Sequence, residues 1–267
     1  MKVGIYLNKK YFSDGAPYVD KISRAFGTGC EVVDDLKDIA LLEVLFVLGG
    51  DGTILDVATV CATYNVKIIG VNYGHMGFLA EFEPDKLDEA IELVKSGKYL
   101  TQNRSTLKIC CGGKQFYALN DVVLQRGTDG ENFSNTVNVH AEIDGSTVDN
   151  FSSDGIIVST PTGSTAYSLS AGGSVLAPDI SAFILTPICA HSLHSRPVVF
   201  SDGSVLKLCP FEVSAPLIML ADGKPVAKVS NGECVTITKG ENCVTFITKN
   251  DKNFFNKLLI KLNIWSK

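Results

Sequence analysis

The sequence predicts an α/β domain built on a doubly wound, mainly parallel sheet, followed by a β-rich, sandwich-like domain. Three features carry that expectation. Short apolar runs alternate with helix-period segments through the first hundred residues, the period changes to two from about residue 103, and a last strand-plus-helix pattern closes the chain. The expected organisation is therefore 1–102 for the α/β domain, 103–240 for the β-rich domain that binds substrate, and 241–267 for a tail that returns to the first domain.

Each element has its own signal. Val3–Leu7 reads as a strand, Val19, Ile22 and Phe26 recur at helical spacing, and Val44–Leu48 is apolar throughout, as a strand buried on both faces requires. Ile54, Val57, Ala58 and Cys61 then follow the i, i+3, i+4, i+7 pattern, and Lys67–Val71 completes a βαβ unit. Pro84 marks the approach to a third helix, Leu87, Ala90, Ile91 and Val94 form its apolar face, and Gly97 ends it. In the second region Val137, Val139, Ala141 and Ile143 alternate with Asn138, His140 and Glu142, which places His140 on a surface. Cys111-Gly112-Gly113, Asp144-Gly145, Asp202-Gly203 and Asn231-Gly232 are the turns between such strands. After a strand at 244–247, Phe254, Leu258 and Leu262 with Phe255 and Leu259 give a helical stripe.

Composition narrows the function classes. With 267 residues, 45% hydrophobic and 20% charged, the chain has enough apolar sequence for an ordered globular core. Its net charge of -5 and lack of a dense Lys/Arg run argue against nucleic acid or an anionic membrane as partner and for a small molecule. The apolar stretch after Met1 is too short for a leader, and no run reaches the length of a membrane span, so a cytoplasmic protein is expected. Eight cysteines without a Cys-x-x-Cys pair read mostly as reduced core residues. His191-Ser192-Leu193-His194 has no second pair at zinc-site spacing, so no protein-only metal cage is expected.

Chemistry concentrates at Gly49-Gly50-Asp51-Gly52-Thr53, between an apolar strand and an amphipathic helix. Ligands of open α/β sheets gather beyond the carboxyl ends of strands, and a helix N-terminus offers N–H groups and positive potential to phosphate. Gly49, Gly50 and Gly52 let the backbone approach phosphate closely, with Thr53 completing the turn. Asp51 would repel a phosphate, so its task is to accept a proton from an attacking hydroxyl or to help hold Mg²⁺. Gly-x-x-x-x-Gly-Lys-Ser/Thr is absent, and Leu55 occupies the third glycine position of a dinucleotide fingerprint. As a plain turn, Asp51 would be a helix cap.

This turn resembles the signature shared by NAD kinases, diacylglycerol and sphingosine kinases and, more distantly, phosphofructokinases. The run Asp154-Gly155-Ile156-Ile157-Val158-Ser159-Thr160-Pro161-Thr162-Gly163-Ser164-Thr165-Ala166-Tyr167-Ser168-Leu169-Ser170-Ala171-Gly172-Gly173 is similar to NAD kinases specifically. Physically, 156–158 is a short buried strand, Pro161 and Gly163 shape a turn, and 164–170 opens a hydroxyl-rich helix where Ala166 leaves room for a flat ring. Asn72-Tyr73-Gly74-His75-Met76-Gly77-Phe78-Leu79 resembles the family's loop in which the Phe78 position packs on adenine. Leu119-Asn120-Asp121 is similar to its Asn-Glu motif, which holds adenine and ribose, with Asp121 shorter than the usual Glu. Ala221-Asp222-Gly223 matches a late turn near the substrate pocket, while 187–193 and Arg196-Pro197 are familial and structural. Ser152 stands where many relatives carry a basic residue that meets a phosphate of the neighbouring subunit's ligand.

The resemblance implies transfer of a phosphoryl group from ATP, or polyphosphate, to the 2′-hydroxyl of the adenosine ribose of NAD, with Mg²⁺ as cofactor. It implies Asp51 as general base, and NAD contacts from Asp51, Gly52, Phe78, Asn120, Asp121, Asp154, Thr162, Thr165, Ala166, Tyr167 and Ser170, with Asp222 nearby. Gly49, Gly50, Gly52 and Thr53 take the donor phosphates. Asp154 reaching a partner's ligand implies a homodimer or homotetramer with shared sites. The competing readings are a lipid kinase, whose acceptor needs an apolar tunnel that the polar 154–173 run does not suggest, and a catalytically inactive nucleotide-binding module.

Overall fold

A computed structural model describes residues 1–8, 15–72, 77–129, 132–133, 136–249 and 254–265. The chain divides into two compact units, Met1–Arg104 with Asn242–Lys267, and Ser105–Glu241. The first begins with β1 (Val3–Leu7), α1 (Ala16–Phe26), β2 (Cys30–Val32), β3 (Val44–Leu48), α2 (Asp51–Tyr64), β4 (Lys67–Val71), α3 (Leu87–Ser96) and β5 (Leu100–Arg104). The second holds β6 (Leu107–Cys111), β7 (Lys114–Ala118), β8 (Asp121–Gln125), β9 (Thr128–Asp129), β10 (Asn132–Phe133), β11 (Val137–Ile143), β12 (Ser146–Ser153), β13 (Gly155–Ser159), α4 (Tyr167–Ser170), β14 (Ala182–Ile188), β15 (Val198–Ser201), β16 (Leu206–Pro210), β17 (Leu217–Ala221), β18 (Lys224–Val229) and β19 (Val235–Lys239). Within the first unit the chain ends with β20 (Val244–Thr248) and α5 (Phe254–Trp265).

In the first unit the sheet order is β2-β1-β3-β4-β20-β5, parallel except for β5 against β20. The order reverses between β1 and β3, the place where a doubly wound sheet opens a crevice at its carboxyl edge. Leu7, Leu48 and Val71 are in register there, and the Gly49 N–H donates to the Val71 carbonyl at 3.0 Å. Alternate strand residues Val44, Phe46, Leu48, Ile69 and Val71 pack with Ile22 of α1 and Leu87, Ala90, Ile91 and Val94 of α3. The other face takes α2, whose Ile54 Cδ1 stands 2.8 Å from where a Gly70 Cβ would be. Helices on both faces explain why β3 is buried along its whole length.

The second unit packs two antiparallel sheets, β12-β11-β16-β19-β6-β7 and β15-β14-β13-β8-β17-β18, through their inward-pointing residues. Phe151, Phe183 and Met219 lie in that core, with the Phe183 and Phe200 rings edge to face at 6.1 Å. β13 is buried on its outer side as well, where Val123, Ile157 and Ile188 pack with Ala171. The segment after β13 therefore folds back over its own sheet.

Three sequence expectations change. Cys209 and Cys234 form a disulfide rather than remaining reduced, because Leu208 opposite Val235 brings the next cross-strand pair of β16 and β19 together; Cys189 and Cys243 are exposed, not core. The expected helix over 164–170 is a 3₁₀ turn at Gly163–Thr165 followed by the single turn of α4, since hydroxyls there bond to the backbone instead of leaving it to a helix. In α5, Phe254 and Leu258 of the expected stripe are half-buried, but Phe255 and Leu259 face solvent, 67% and 60% exposed, so the stripe is seated only in part; the Leu262 side chain lies outside the described structure. His140 sits half-buried between Asn150 and Glu142. Among the described residues no helix is long and apolar enough to cross a membrane.

Candidate active site

The glycine turn caps α2. Gly50 is the extended residue before the helix, and Asp51, Gly52 and Thr53 form its first turn; the Thr53 amide donates to the Gly50 carbonyl at 3.0 Å, while the Asp51 and Gly52 amides precede any intrahelical acceptor. Asp51 adds a negative charge where the helix dipole favours one. Its carboxylate accepts two amides from the loop after β4: Phe78 N–H to Oδ2 at 2.7 Å and Leu79 N–H to Oδ1 at 3.1 Å. A Cβ at Gly77 would collide with Asp51 Oδ1, so that approach requires glycine. The side chain remains 30% exposed, with lone pairs to spare. Of the loop's other residues, 73–76 lie outside the described structure.

The glycines of the turn differ in what the fold asks of them. A Gly49 side chain would strike Thr53, whose own side chain is buried against it. At Gly52 no atom lies within 4 Å of an added Cβ, and at Gly50 the nearest is Asn72 Oδ1 at 3.9 Å. Packing among the described residues therefore does not demand glycine at 50 or 52.

In the second unit Asn120, Asp121 and Asp222 come together. Asp222 and Gly223, both at positive φ, form the two-residue turn between β17 and β18. The Asp222 carboxylate accepts the Leu119, Asn120 and Asp121 amides at 2.8, 2.7 and 3.2 Å. On the other side of this strand start, Thr160 N–H donates to the Asn120 carbonyl at 2.9 Å and Thr160 Oγ1 to the Leu119 carbonyl at 2.6 Å. Gly163 passes so close that its Cβ would overlap the Asn120 carbonyl oxygen. Backbone clamped from both sides fixes where the Asn120 side chain leaves the chain, and among the described residues its carboxamide makes no hydrogen bond.

Asp121 is 5% exposed and faces Ser159 across β8 and β13. Burial, and then the neighbouring Asp222 charge, push its carboxyl up to about 7. Asp222 is also raised by burial, against the pull of its three amides. Two adjacent buried carboxyls thus favour holding a proton.

The 160–173 run is less open to ligands than its hydroxyl content suggests. Ser164 Oγ donates to the Pro161 carbonyl at 2.7 Å and accepts the Leu176 amide at 2.9 Å, Thr165 Oγ1 donates to the Thr162 carbonyl at 3.3 Å, and Ser168 Oγ pairs with Thr186 Oγ1 at 2.9 Å. Thr162 and Thr165 are buried, Ala166 is half-buried, and Tyr167 and Ser170 are exposed. Asp154 stands apart from them. It precedes β13, whose far end, Ser159, pairs with Asp121, so about 16 Å of strand separates the two ends. Beside it Arg126 Nη2 lies 3.5 Å from Asp154 Oδ2, a cation at the corner where Ser152 has none.

Sequence reasoning overlooked Thr160 and Gly77, which hold the loops, and Lys261 of α5, whose Nζ is 3.9 Å from Asp51 Oδ2. Gly77 was legible as a glycine beside Phe78; Lys261 had no local signal.

A buried parallel strand feeding a Gly-Gly-Asp-Gly turn at a helix start, in a chain that also carries a β-sandwich, is the architecture of a phosphate-binding protein. The models of the ATP-NAD kinase N-terminal domain and C-terminal domain match residues 28–99 and 119–249. The chain is 39% identical over 225 residues to an NAD kinase of Caldanaerobacter subterraneus subsp. tengcongensis, covering 82% of this chain and 78% of that one. It is 40% identical over 237 residues to an NAD kinase of Clostridium botulinum (strain Loch Maree), covering 87% and 83%. Among solved structures, yeast NADH kinase complexed with NADH superposes with a TM-score of 0.82 at 23% identity, over 100% of this chain and 89% of that one. An NAD kinase from Archaeoglobus fulgidus in complex with ATP gives 0.80 at 23% identity, over 98% and 99%; both likenesses concern the fold. The chain belongs to the NAD kinase family.

Two outcomes follow from this geometry. Gly52→Ala places a better helix former in α2 without a clash, so thermal unfolding should be unchanged or stabilised by up to roughly 1 kcal/mol, while KM for the phosphoryl donor rises about tenfold or more through loss of a charge-assisted backbone contact. A fall in melting temperature with unchanged KM would assign Gly52 to packing instead. For Asp121, the folded state binds the proton more tightly than the unfolded chain, so its penalty is absent in acid and grows as pH rises from about 4 towards 7. Melting curves across that window should decline more steeply for the wild type than for Asp121→Asn; parallel curves would show that Asp121 ionises in the folded protein as an ordinary carboxylate does.

Proposed function

We propose that this chain transfers the terminal phosphoryl group of ATP, or of polyphosphate, to the 2′-hydroxyl of the adenosine ribose of NAD, producing NADP. The observation that carries the mechanism is the Asp51 carboxylate, anchored by two loop amides at the start of α2 yet partly open to solvent. Such a group is oriented before substrate arrives, and it accepts the proton that the ribose hydroxyl loses as it attacks phosphorus. The free amides of the α2 first turn, with Gly49, Gly50, Gly52 and Thr53 shaping the approach, bind and orient the donor phosphates. In the second unit the fixed Asn120 carboxamide and Asp121 hold adenine and ribose, Thr162, Thr165, Ala166, Tyr167 and Ser170 frame the dinucleotide, and Asp222 acts through the 119–121 backbone that it anchors. Phe78 packs on the adenine.

Among the described residues no three His, Cys, Asp or Glu side chains converge on one point, and Asp51 is a single oxygen-donor carboxylate at the turn. That donor set suits Mg²⁺ carried by phosphates; Asp51 would be its protein ligand only as the alternative to the base role. When bound, the ion neutralises charge on the transferred phosphoryl group. The separation of Asp154 from Asn120 and Asp121 along β13 supports its acting on a partner's ligand, hence a homodimer or homotetramer, with Arg126 as the cation at that corner. Six of the eight cysteines are free thiols, which supports a cytoplasmic setting, while the Cys209–Cys234 disulfide is the one feature that argues the other way.

Asp51→Asn should keep NAD binding by calorimetry while turnover falls by about 10² to 10⁴-fold; turnover within about tenfold of wild type removes the base role. Mixing Asp51→Asn with Asp154→Ala subunits should restore NADP formation if sites are shared, because mixed oligomers contain one site with both residues. Activity no greater than the sum of the two separate variants would refute sharing.

A further inference from the structure

The C-terminal helix is held to the first unit in an unusual way. Its bulky apolar residues Phe255 and Leu259 are exposed, whereas Phe254, Lys257 and Lys261, one face at i, i+3 and i+7, are seated. Phe254 packs on the Phe78 ring at 6.4 Å between centroids. Lys257 Nζ pairs with Glu81 Oε2 at 2.8 Å and reaches the Ala80 carbonyl at 3.4 Å. Lys261 Nζ stands 3.9 Å from Asp51 Oδ2 and 3.9 Å from the centroid of the Phe78 ring, with its side chain only 11% exposed.

One ammonium therefore touches both groups assigned to acceptor chemistry. A nearly buried lysine gives up hydration, and burial does lower the Lys261 pKa against the opposing pull of Asp51. An apolar residue would fill the same space at lower cost, so the charge calls for a use. The α2 turn supplies one. A carboxylate beside a phosphate-binding helix start repels the phosphate it must face, and a cation within 4 Å offsets that repulsion while orienting the carboxylate. The same cation lies on the Phe78 face and fixes the ring.

Resting on the reading of Asp51 as base, we propose that Lys261 is a positioning residue of the phosphoryl-transfer site, holding Asp51 and Phe78 in one arrangement and offsetting the Asp51 charge against the donor phosphates. The ammonium neither accepts the proton nor forms a bond. Its effect is felt in turnover through Asp51.

The test compares wild type, D51N, K261M, K261R, K257M and D51N/K261M as full chains, in NADP formation with ATP, NAD and Mg²⁺, with melting temperatures measured beside kcat and KM. K261M should lower kcat by about 10 to 10²-fold, the scale of a misplaced reacting group, and K261R should recover to within about threefold. In the D51N background K261M should add less than about threefold, because coupled residues are not additive. K257M removes the neighbouring clamp without touching Asp51 and should change kcat much less than K261M does. Equal losses in K257M and K261M, or full additivity with D51N, would make the helix a plain strap and overturn the proposal. Should K261M unfold, K261R and K261Q decide it: equal kcat in those two refutes a role for charge. If D51N loses turnover and K261M does not, the Lys261 proposal alone falls; if D51N keeps turnover, the base assignment falls first.

Discussion

The Asp51 carboxylate, accepting amide hydrogens from Phe78 and Leu79, is the contact on which the glycine turn of the first unit depends. It ties the helix start to the loop after β4 at the carboxyl edge of a parallel sheet, where β1, β3 and β4 end in register. The surrounding sequence follows from it. Gly77 has no side chain because Asp51 Oδ1 occupies that space, and Lys261 comes in from α5 to meet both the carboxylate and Phe78. Charge-assisted hydrogen bonds are stronger than their neutral counterparts, so the arrangement is set before any ligand binds.

The second unit uses the same device with different parts. Asp222, turned out by a tight Asp-Gly hairpin, accepts three successive amides and fixes the start of β8, while Thr160 and Gly163 hold the opposite side. In both units a carboxylate spends hydrogen bonds on backbone so that the stretch carrying a candidate site residue is fixed, Phe78 in one and Asn120 in the other. Polar residues buried for this purpose are part of the machinery even where they do not meet substrate. Asp121 is the exception in being buried beside another carboxylate, and its proton affinity rises accordingly.

Much of the site was readable beforehand because its motifs are local. The strand–turn–helix around Gly49 to Thr53, the Asp222-Gly223 hairpin and the 154–173 run each carry their geometry within a few residues, through glycine, proline and short polar side chains. Two local expectations changed. The hydroxyls of Ser164 and Thr165 lie in a tight turn buried against a sheet, which satisfies its own backbone first and so breaks the expected helix. The expected stripe of α5 is seated at Phe254 and Leu258 but not at Phe255 and Leu259, because helical period alone does not say which face a long lysine side chain can seat.

By itself the sequence determined the two-part architecture, the parallel sheet with helices on both faces, and the position of the glycine turn, since these follow from apolar period and from where glycines interrupt it. The tertiary structure alone decided which charges meet. Asp51 with Lys261, Asp121 with Asp222 and Asp154 with Arg126 are partners set by strand order and helix packing, not by spacing along the chain. Electrostatic energy depends on distance and burial, and neither quantity exists until the sheets have assembled.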